Sequence, residues 1–330
     1  MSTTLISVDK LNKQYLPGQA SGISDLSFDI SSGQIFAIIG ESGSGKSTLL
    51  KSIYGLLKPD SGTILFEGKK VKGPDEQLVP GHPQMKMVTQ DFSLNIYAKV
   101  YDNIASQLSN TNVRLKESKT LAMMEQLRIA HLRNKKIVEL SGGEQQRVAI
   151  ARALVSDTRV LLLDEPFSQV DSLLKNQLRA DIKNLVAETG VTVILVSHDP
   201  ADGLFLADQL LILRAGKLQQ TGTPRNVYEH PQNIYTAKLL GNAIVLNRSE
   251  ADAIGIKTGK EHVVIYPEWA SLNGGWNSRR FEVKEIFYKG FYEELVLERN
   301  GVEIRALQLN STAHKKHEHV QVQLTRFLEF

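Results

Sequence analysis

The chain contains no cysteine. That excludes disulfides, cysteine-ligated zinc and thiol catalysis outright, and nothing else in the sequence calls for an oxidising compartment. Long apolar runs are missing as well. The longest, such as Ile35–Ile39 and Val191–Val196, fall far short of the ~20 residues that span a bilayer, so any service to a membrane must run through a partner that spans it. The first ten residues carry no basic stretch followed by an apolar core, so no secretory signal is expected. One-sided charge is absent too: 39 Lys+Arg stand against 36 Asp+Glu, a formal net charge of +3. With no Lys/Arg block, nucleic acid is not expected as a partner. There is no internal repeat and no low-complexity segment. What remains is ordinary: 330 residues, 42% hydrophobic and 23% charged, room for two domains and a sizeable core without cross-links.

The first ninety residues read as short strands around one glycine-rich turn. Leu5–Val8 and Leu26–Ile30 alternate loosely, and Ile35–Ile39 is apolar throughout, as a strand buried on both faces should be. Leu49, Leu50, Ile53, Leu56 and Leu57 recur at helical spacing, with Pro59 expected to stop that helix. Residues 60–71 read as a hairpin punctuated by Asp60-Ser61-Gly62 and Glu67-Gly68. Residues 91–157 look helical. Buried strands return at Val160–Leu163 and Val191–Val196, separated by a helix over Leu173–Glu188. Such alternation predicts a largely parallel sheet covered by helices and interrupted by a helical insertion. The texture changes near Gly241. From there β-rich runs, Val263–Ile265, Phe281–Tyr288, Tyr292–Glu298, Val302–Leu309 and Val320–Phe327, are split by turn signals at Asn273-Gly274-Gly275 and Asn300-Gly301. The expectation is an α/β domain over 1–240, with its helical subdomain at about 91–157, and a small all-β, barrel-like domain over 241–330.

Gly40-Glu41-Ser42-Gly43-Ser44-Gly45-Lys46-Ser47 matches the phosphate-binding pattern G-x-x-x-x-G-K-[ST]. It follows a buried strand and precedes a helix, the context a plain Gly/Ser turn would not need. Glycines let the backbone wrap an anion, and the helix adds the positive end of its dipole. Lys46 is expected on the β- and γ-phosphates of ATP, Ser47 on Mg²⁺ and Thr48 near the α-phosphate. Val160–Leu163 then runs into Asp164-Glu165 at the carboxyl end of a strand, where open α/β sheets bind ligands. Asp164 is placed to hold the Mg²⁺ shell through water, and Glu165 to polarise an attacking water. A third apolar strand ends in Ser197-His198, and His198 is a candidate for the γ-phosphate. Leu140-Ser141-Gly142-Gly143-Glu144 begins as a capping box, Ser141 at the N-cap and Glu144 three residues on. Two glycines in a first turn cost the helix about 1 kcal/mol each relative to alanine. Their use is to bare backbone N–H groups to an anion.

Together LSGGEQQR, GESGSGKST, VLLLDEP and VSHD resemble the nucleotide-binding subunit of ABC transporters, in order and spacing across residues 1–240. The resemblance implies a P-loop NTPase with a RecA-like core and an ABC helical subdomain. It also implies a head-to-tail homodimer, or a pair with a paralogous subunit, in which Ser141, Gly142, Gly143 and Glu144 cover ATP held by the partner's P-loop. It places Tyr15 on adenine, Gln90 on Mg²⁺ and the water, and Asp171, after the stretch Phe167 to Val170 that includes Gln169, in the dimer interface. The insertion that begins at Gln90 would meet integral-membrane permease subunits at the cytoplasmic face of the membrane, with a solute-binding protein as an indirect partner. Asn95-Ile96-Tyr97 departs from the Pro-containing turn usual there, and Pro200 follows His198-Asp199 directly.

Gly222-Thr223-Pro224, Tyr228, Glu229 and Pro231 resemble the tail of importer ATPases. Tyr266-Pro267-Glu268 is similar, without the usual arginine, to the opening of the OB-like TOBE domain found in sugar, polyamine, sulfate/molybdate and ferric-iron systems. That extra domain and the absence of fused spans favour an importer over an exporter. One P-loop and no heptad run speak against a soluble ABC ATPase acting on nucleic acid. His314, His317 and His319 flank two lysines that repel a cation, so a solvated loop is expected rather than a metal site.

Overall fold

The computed structural model describes residues 3–15, 22–168, 170–272, 274–309 and 314–330. Gln169 and Asn273, in the stretch before Asp171 and the turn before Gly274, lie outside them. The chain forms two compact units, Met1–Val227 and Tyr228–Phe330.

Apolar runs dictate the first unit. Strands β1 (Thr4–Gln14), β2 (Gly22–Ser31), β4 (Ser61–Phe66) and β5 (Lys69–Lys70) form an antiparallel sheet in the order β2-β1-β4-β5. Strands β3 (Ile35–Ile39), β6 (Met85–Val88), β7 (Val160–Asp164), β8 (Thr192–Ser197), β9 (Gln209–Arg214) and β10 (Lys217–Gly222) form the second sheet, ordered β10-β9-β3-β8-β7-β6. It is parallel except for the β9–β10 hairpin. Every residue of β3 and β8 is buried, as strands covered on both faces must be. The sequence reading foresaw a parallel sheet, through β3, β7 and β8, and the β4–β5 hairpin, but not the pairing of β4 with β1 and of β1 with β2.

Helix α1 (Lys46–Tyr54) ends at Gly55 rather than at Pro59. Gly55 takes the left-handed conformation (φ 82°) and its N–H bonds the carbonyls of Lys51 and Ser52. A Cβ there would meet the Lys72 carbonyl oxygen at 2.6 Å, so glycine sets the stop before proline is reached. The insertion carries α2 (Val100–Ala105), α3 (Val113–Gln126) and α4 (Gly142–Leu154). Helices α5 (Ser172–Thr189), α6 (Pro200–Leu206) and α7 (Pro224–Glu229) follow. Pro200 is the first residue of α6, and the Asp199 side chain caps it by accepting from the Ala201 N–H at 3.0 Å. The departure noted in the sequence is thus a sound helix start.

The second unit begins ahead of residue 240. Its helix α8 (Ile234–Gly241) buries Ala237 in one cluster with Val264 and Tyr266. Strands β11 (Ile244–Asn247), β12 (His262–Ile265), β13 (Ala270–Ser271), β14 (Arg279–Tyr288), β15 (Tyr292–Arg299), β16 (Val302–Leu309), β17 (His319–Leu324) and β18 (Leu328–Glu329) surround one further short helix, α9 (Arg248–Ala253). They form a three-stranded sheet, β11-β12-β18, and a five-stranded one, β13-β17-β14-β15-β16. Alternate residues point inward, among them Phe281, Val283, Leu295, Leu297, Ile304 and Val322. Strand β16 comes back against β13, which gives the sheet its barrel-like curl. Asn300 and Gly301 are both left-handed (φ 52° and 78°), the two-residue turn that matches strand twist.

Tyr266 is fully buried between Tyr228 (ring centroids 4.8 Å apart) and Trp269 (4.4 Å). Burial pushes its hydroxyl pKa well up, and the hydroxyl donates to the Tyr228 carbonyl. The Arg326 guanidinium lies over Trp269. Among the described residues no group of three metal-ligating side chains gathers. His317 Nδ1 nevertheless sits 2.7 Å from Glu282 Oε1 and His314 3.5 Å from Glu318, carboxylate partners that the sequence reading did not give them.

Candidate nucleotide-binding and hydrolysis site

The parallel sheet delivers the chemistry at one edge. Strand β3 lies between β8 and β9, and β7 lies on the far side of β8, so the loops leaving β3, β7 and β8 emerge as neighbours. The first wraps tightly. A Cβ on Gly40 would lie 2.2 Å from the Leu213 carbonyl oxygen, and one on Gly45 (φ 101°) 2.5 Å from that of Gly22. Only glycine fits either place. Gly45 caps α1 with no side chain, which leaves the first N–H groups of the helix open to an anion.

Lys46 is only 5% exposed. Its ammonium donates to the carbonyls of Gly40 and Glu41, each at 2.8 Å, which spans the loop from inside. Burial lowers its pKa, against the pull of the Glu165, Asp164 and Glu41 carboxylates. The Ser44 hydroxyl is buried without a hydrogen-bond partner, a polar atom that a phosphate oxygen would satisfy. The Tyr15 hydroxyl lies 3.1 Å from Thr48 Oγ1, and its ring stays 52% exposed. Tyr15, Lys46, Ser47, Thr48 and Glu165 line one cavity of 320 Å³.

Ser47 Oγ donates to Asp164 Oδ1 at 3.0 Å. A hydroxyl and a carboxylate side by side are the hard oxygen donors that Mg²⁺ prefers, so these two residues fit the ion. Burial raises the pKa of Asp164; the Ser47 hydrogen bond and the charges of Lys51 and Lys46 oppose this without cancelling it. A carboxyl whose folded-state pKa is raised is penalised when ionised. At neutral pH Asp164 therefore subtracts stability, and the loss disappears as pH falls through its folded-state pKa. The expected result is that Asp164→Asn raises the melting temperature of the nucleotide-free protein at pH 7 by on the order of a few degrees. The gain should shrink toward acid pH, and ATP turnover should be lost. Calorimetry at two pH values checks it, and a lower melting temperature at pH 7 would refute it.

Glu165 adopts a left-handed backbone (φ 49°). Its N–H bonds the Val196 carbonyl at 3.0 Å, which ties the loop after β7 to β8. Non-glycine residues hold such a conformation only where their surroundings enforce it, and they gather at functional sites. The bend brings Glu165 Oε2 to 2.9 Å from His198 Nδ1. The sequence reading proposed both residues without pairing them. Beyond them opens a 430 Å³ cavity lined also by Phe167, Lys175, Ser197 and Asp202. Here the sequence reading missed a charged group. Lys175 and Arg179, one turn apart on α5, face Asp199, the N-cap of α6, and Asp202 within that helix. Their i,i+4 and i,i+3 spacings were visible, but nothing local showed that the two helices meet.

Gln90 is exposed in the turn after β6 and lines neither cavity. Phe92 and Ser93 are both left-handed there (φ 59° and 47°), and Arg152 of α4 donates to the Ser93 carbonyl. The turn is thus tied to the signature helix. Asp171 is the exposed N-cap of α5 by its backbone alone.

Helix α4 starts with the reciprocal box read from the sequence. The Ser141 N–H donates to Glu144 Oε2 at 2.8 Å, and the Glu144 N–H to Ser141 Oγ at 3.4 Å. Burial alone would raise the Glu144 carboxyl, but hydrogen bonds from Ser141 hold its pKa below the usual carboxylate range. Ser141, Gly143 and Glu144 line a 200 Å³ cavity with Arg128 and His131. That cavity has no lining residue in common with the one around Lys46.

A buried strand feeding a glycine-wrapped loop, a lysine inside that loop, and an Asp-Glu strand exit beside a histidine define a P-loop nucleotide hydrolase. The comparisons narrow the class. The family model described as ABC transporter matches residues 23–168. The spermidine/putrescine import ATP-binding proteins PotA of Mycoplasma capricolum subsp. capricolum and Mycoplasma mycoides subsp. mycoides SC are each 32% identical over 324 residues, covering 90% of this chain and 89% of their own. Among solved structures, cbiO1 from Clostridium perfringens, part of the ABC transporter complex cbiONQ, is 27% identical with a TM-score of 0.62. The match covers 72% of this chain and 95% of that one. The dimeric post-hydrolysis state of the ATP-binding cassette MJ0796 with ADP and Pi is also 27% identical, with a TM-score of 0.59, covering 67% and 99%. The chain belongs to the ATP-binding subunits of ABC transporters: it binds ATP and couples its hydrolysis to transport. No helix among the described residues is long and apolar enough to cross a membrane.

Proposed function

We propose that this chain drives a solute importer from the cytoplasmic face of the membrane, as a head-to-tail dimer with a second copy or a paralogue. One observation carries the dimer. The two anion-ready helix starts, at Gly45 and Ser141, open into separate cavities of the same chain, so Ser141 and Gly143 have a triphosphate to cover only if another chain presents one. The dimeric state of MJ0796 supports the same reading.

In each composite pocket Tyr15 stacks on the base, the N–H groups from Ser42 to Thr48 hold the phosphates, and Lys46 balances their charge. Ser47, Asp164 and Gln90 are the residues that would hold Mg²⁺, which when bound would neutralise phosphate charge. Glu165 accepts a proton from the attacking water while His198 holds the water and the γ-phosphate in line. Ser141 and Gly143 of the other chain stabilise the charge that spreads over the transferred phosphoryl group. Asp171 meets its counterpart across the interface.

Import is supported by the relatives' reach. A match over 90% of the chain extends well into the second unit, beyond the hydrolase itself. The cargo is a polyamine, the class named for those relatives, carried by permease subunits and a solute-binding protein. Deleting the chain in its host should abolish ATP-dependent uptake of labelled spermidine or putrescine. Undiminished uptake of both would sink the cargo assignment.

A further inference from the structure

The geometry points to Ser197 and the ion cluster behind it as the positioning device for His198, a role that rests on the hydrolysis reading above. Ser197 is buried at the end of β8, immediately before His198. Its hydroxyl donates to Asp202 Oδ2 at 2.5 Å and accepts from the Asp199 N–H at 3.0 Å. One hydroxyl therefore fixes the backbone on both sides of the histidine and anchors it to α6.

Asp202, only 1% exposed, is held in turn. Its Oδ1 receives Arg179 Nε at 3.0 Å and lies 3.1 Å from Lys175 Nζ. The Lys175 ammonium also reaches Asp199 at 2.5 Å. Two cations one helical turn apart thus meet two carboxylates near the start of α6. The Arg179 guanidinium is flanked by the rings of Phe167 (5.7 Å) and Phe205 (5.6 Å). Helix α5 is itself pinned to α4 by Arg147 and Asp181 at 2.7 Å.

Such a cluster is a poor device for stability. Taking charges out of water costs as much as their attraction returns, and apolar replacements of the same volume often do as well. What a closed set of charge-assisted bonds provides is a fixed position. Here the fixed object is the segment 197–199, and its one side chain facing Glu165 is His198. Glu165 and His198 line the same cavity as Lys175, Ser197 and Asp202. Residues Ser197 and Asp202 touch no reacting atom; they act through the histidine.

The test is a double-mutant cycle on the full chain, read as kcat and KM for ATP. Asp202→Asn would leave two cations facing the single, partly exposed carboxylate of Asp199 and risks the fold, so the cycle uses Ser197, whose loss keeps the charges balanced. Ser197→Ala should lower kcat about tenfold, as small misplacements of a catalytic group do, with KM within about twofold. Ser197→Thr, which keeps the hydroxyl, should restore most of the turnover. In a His198→Ala background the Ser197→Ala change should cost nothing further, because the two act as one unit. An equal fall with and without His198, or no fall at all, would overturn the positioning role. If His198→Ala alone keeps wild-type turnover, the hydrolysis reading fails instead, and the two failures are distinguishable.

Discussion

Glu165→Gln should hydrolyse ATP at least a hundredfold more slowly than the wild type while binding it as tightly or more tightly. Glutamine keeps the size and an acceptor oxygen of the side chain but not its basicity. A positioned general base is worth about 10²–10⁴ in rate, or about 3–5 kcal/mol of barrier. The backbone should tolerate the change, since the left-handed bend at 165 (φ 49°) is held by the hydrogen bond to Val196 and not by the carboxylate. Removing a negative charge from the cavity that holds Lys46 and Ser47 also removes repulsion toward the triphosphate. With chemistry blocked and binding intact, the dimer should outlive its wild-type counterpart on a sizing column in ATP. Phosphate release within tenfold of wild type would mean that another group takes the proton.

The second large effect is recovery by mixing. Lys46→Ala leaves the Gly40 and Glu41 carbonyls without their donor and strips the charge from the phosphate site. A loss of about tenfold to a hundredfold in ATP affinity follows from the 1.5–3 kcal/mol such bonds are worth. Ser141→Ala removes the α4 cap, costing about 0.5–2 kcal/mol, which a chain of this size survives. Each variant alone should be inactive. In a head-to-tail pair of one with the other, however, both defects fall in the same pocket and the second pocket is whole. An equimolar mixture should therefore regain up to about a quarter of wild-type activity by combinatorial pairing. A mixture that pairs and stays silent would remove the shared pocket from the mechanism.

The site was more legible than the fold around it. Lys46, Asp164, Glu165 and His198 each follow an apolar run, and strands buried on both faces advertise themselves without knowledge of their partners. The antiparallel sheet hides because its signal is broken: β1 pairs with β2 through three register shifts, and left-handed Lys10 and Asp25 interrupt the alternation. Gln90 was read as part of the site, yet its place depends on the turn through Phe92 and Ser93, whose conformation no spacing encodes. The ion cluster of α5 and α6 needs two helices to meet, a tertiary fact. Conversely, the Ser141–Glu144 box is purely local, and it formed as read.

The place of β3 at the middle of its sheet also governs how the chain must be made. Its neighbours, β8 and β9, come more than 150 residues later in the sequence. At about 5–20 residues per second on the ribosome, that strand waits on the order of ten seconds or more for them. Such distant pairings are slow to form. Over that interval Ile35–Ile39, an unbroken apolar stretch, has no sheet to enter and is open to chaperones or to its own kind. In the second unit, by contrast, strands β14 to β16 join by short hairpins, so those pairings need nothing that is made much later.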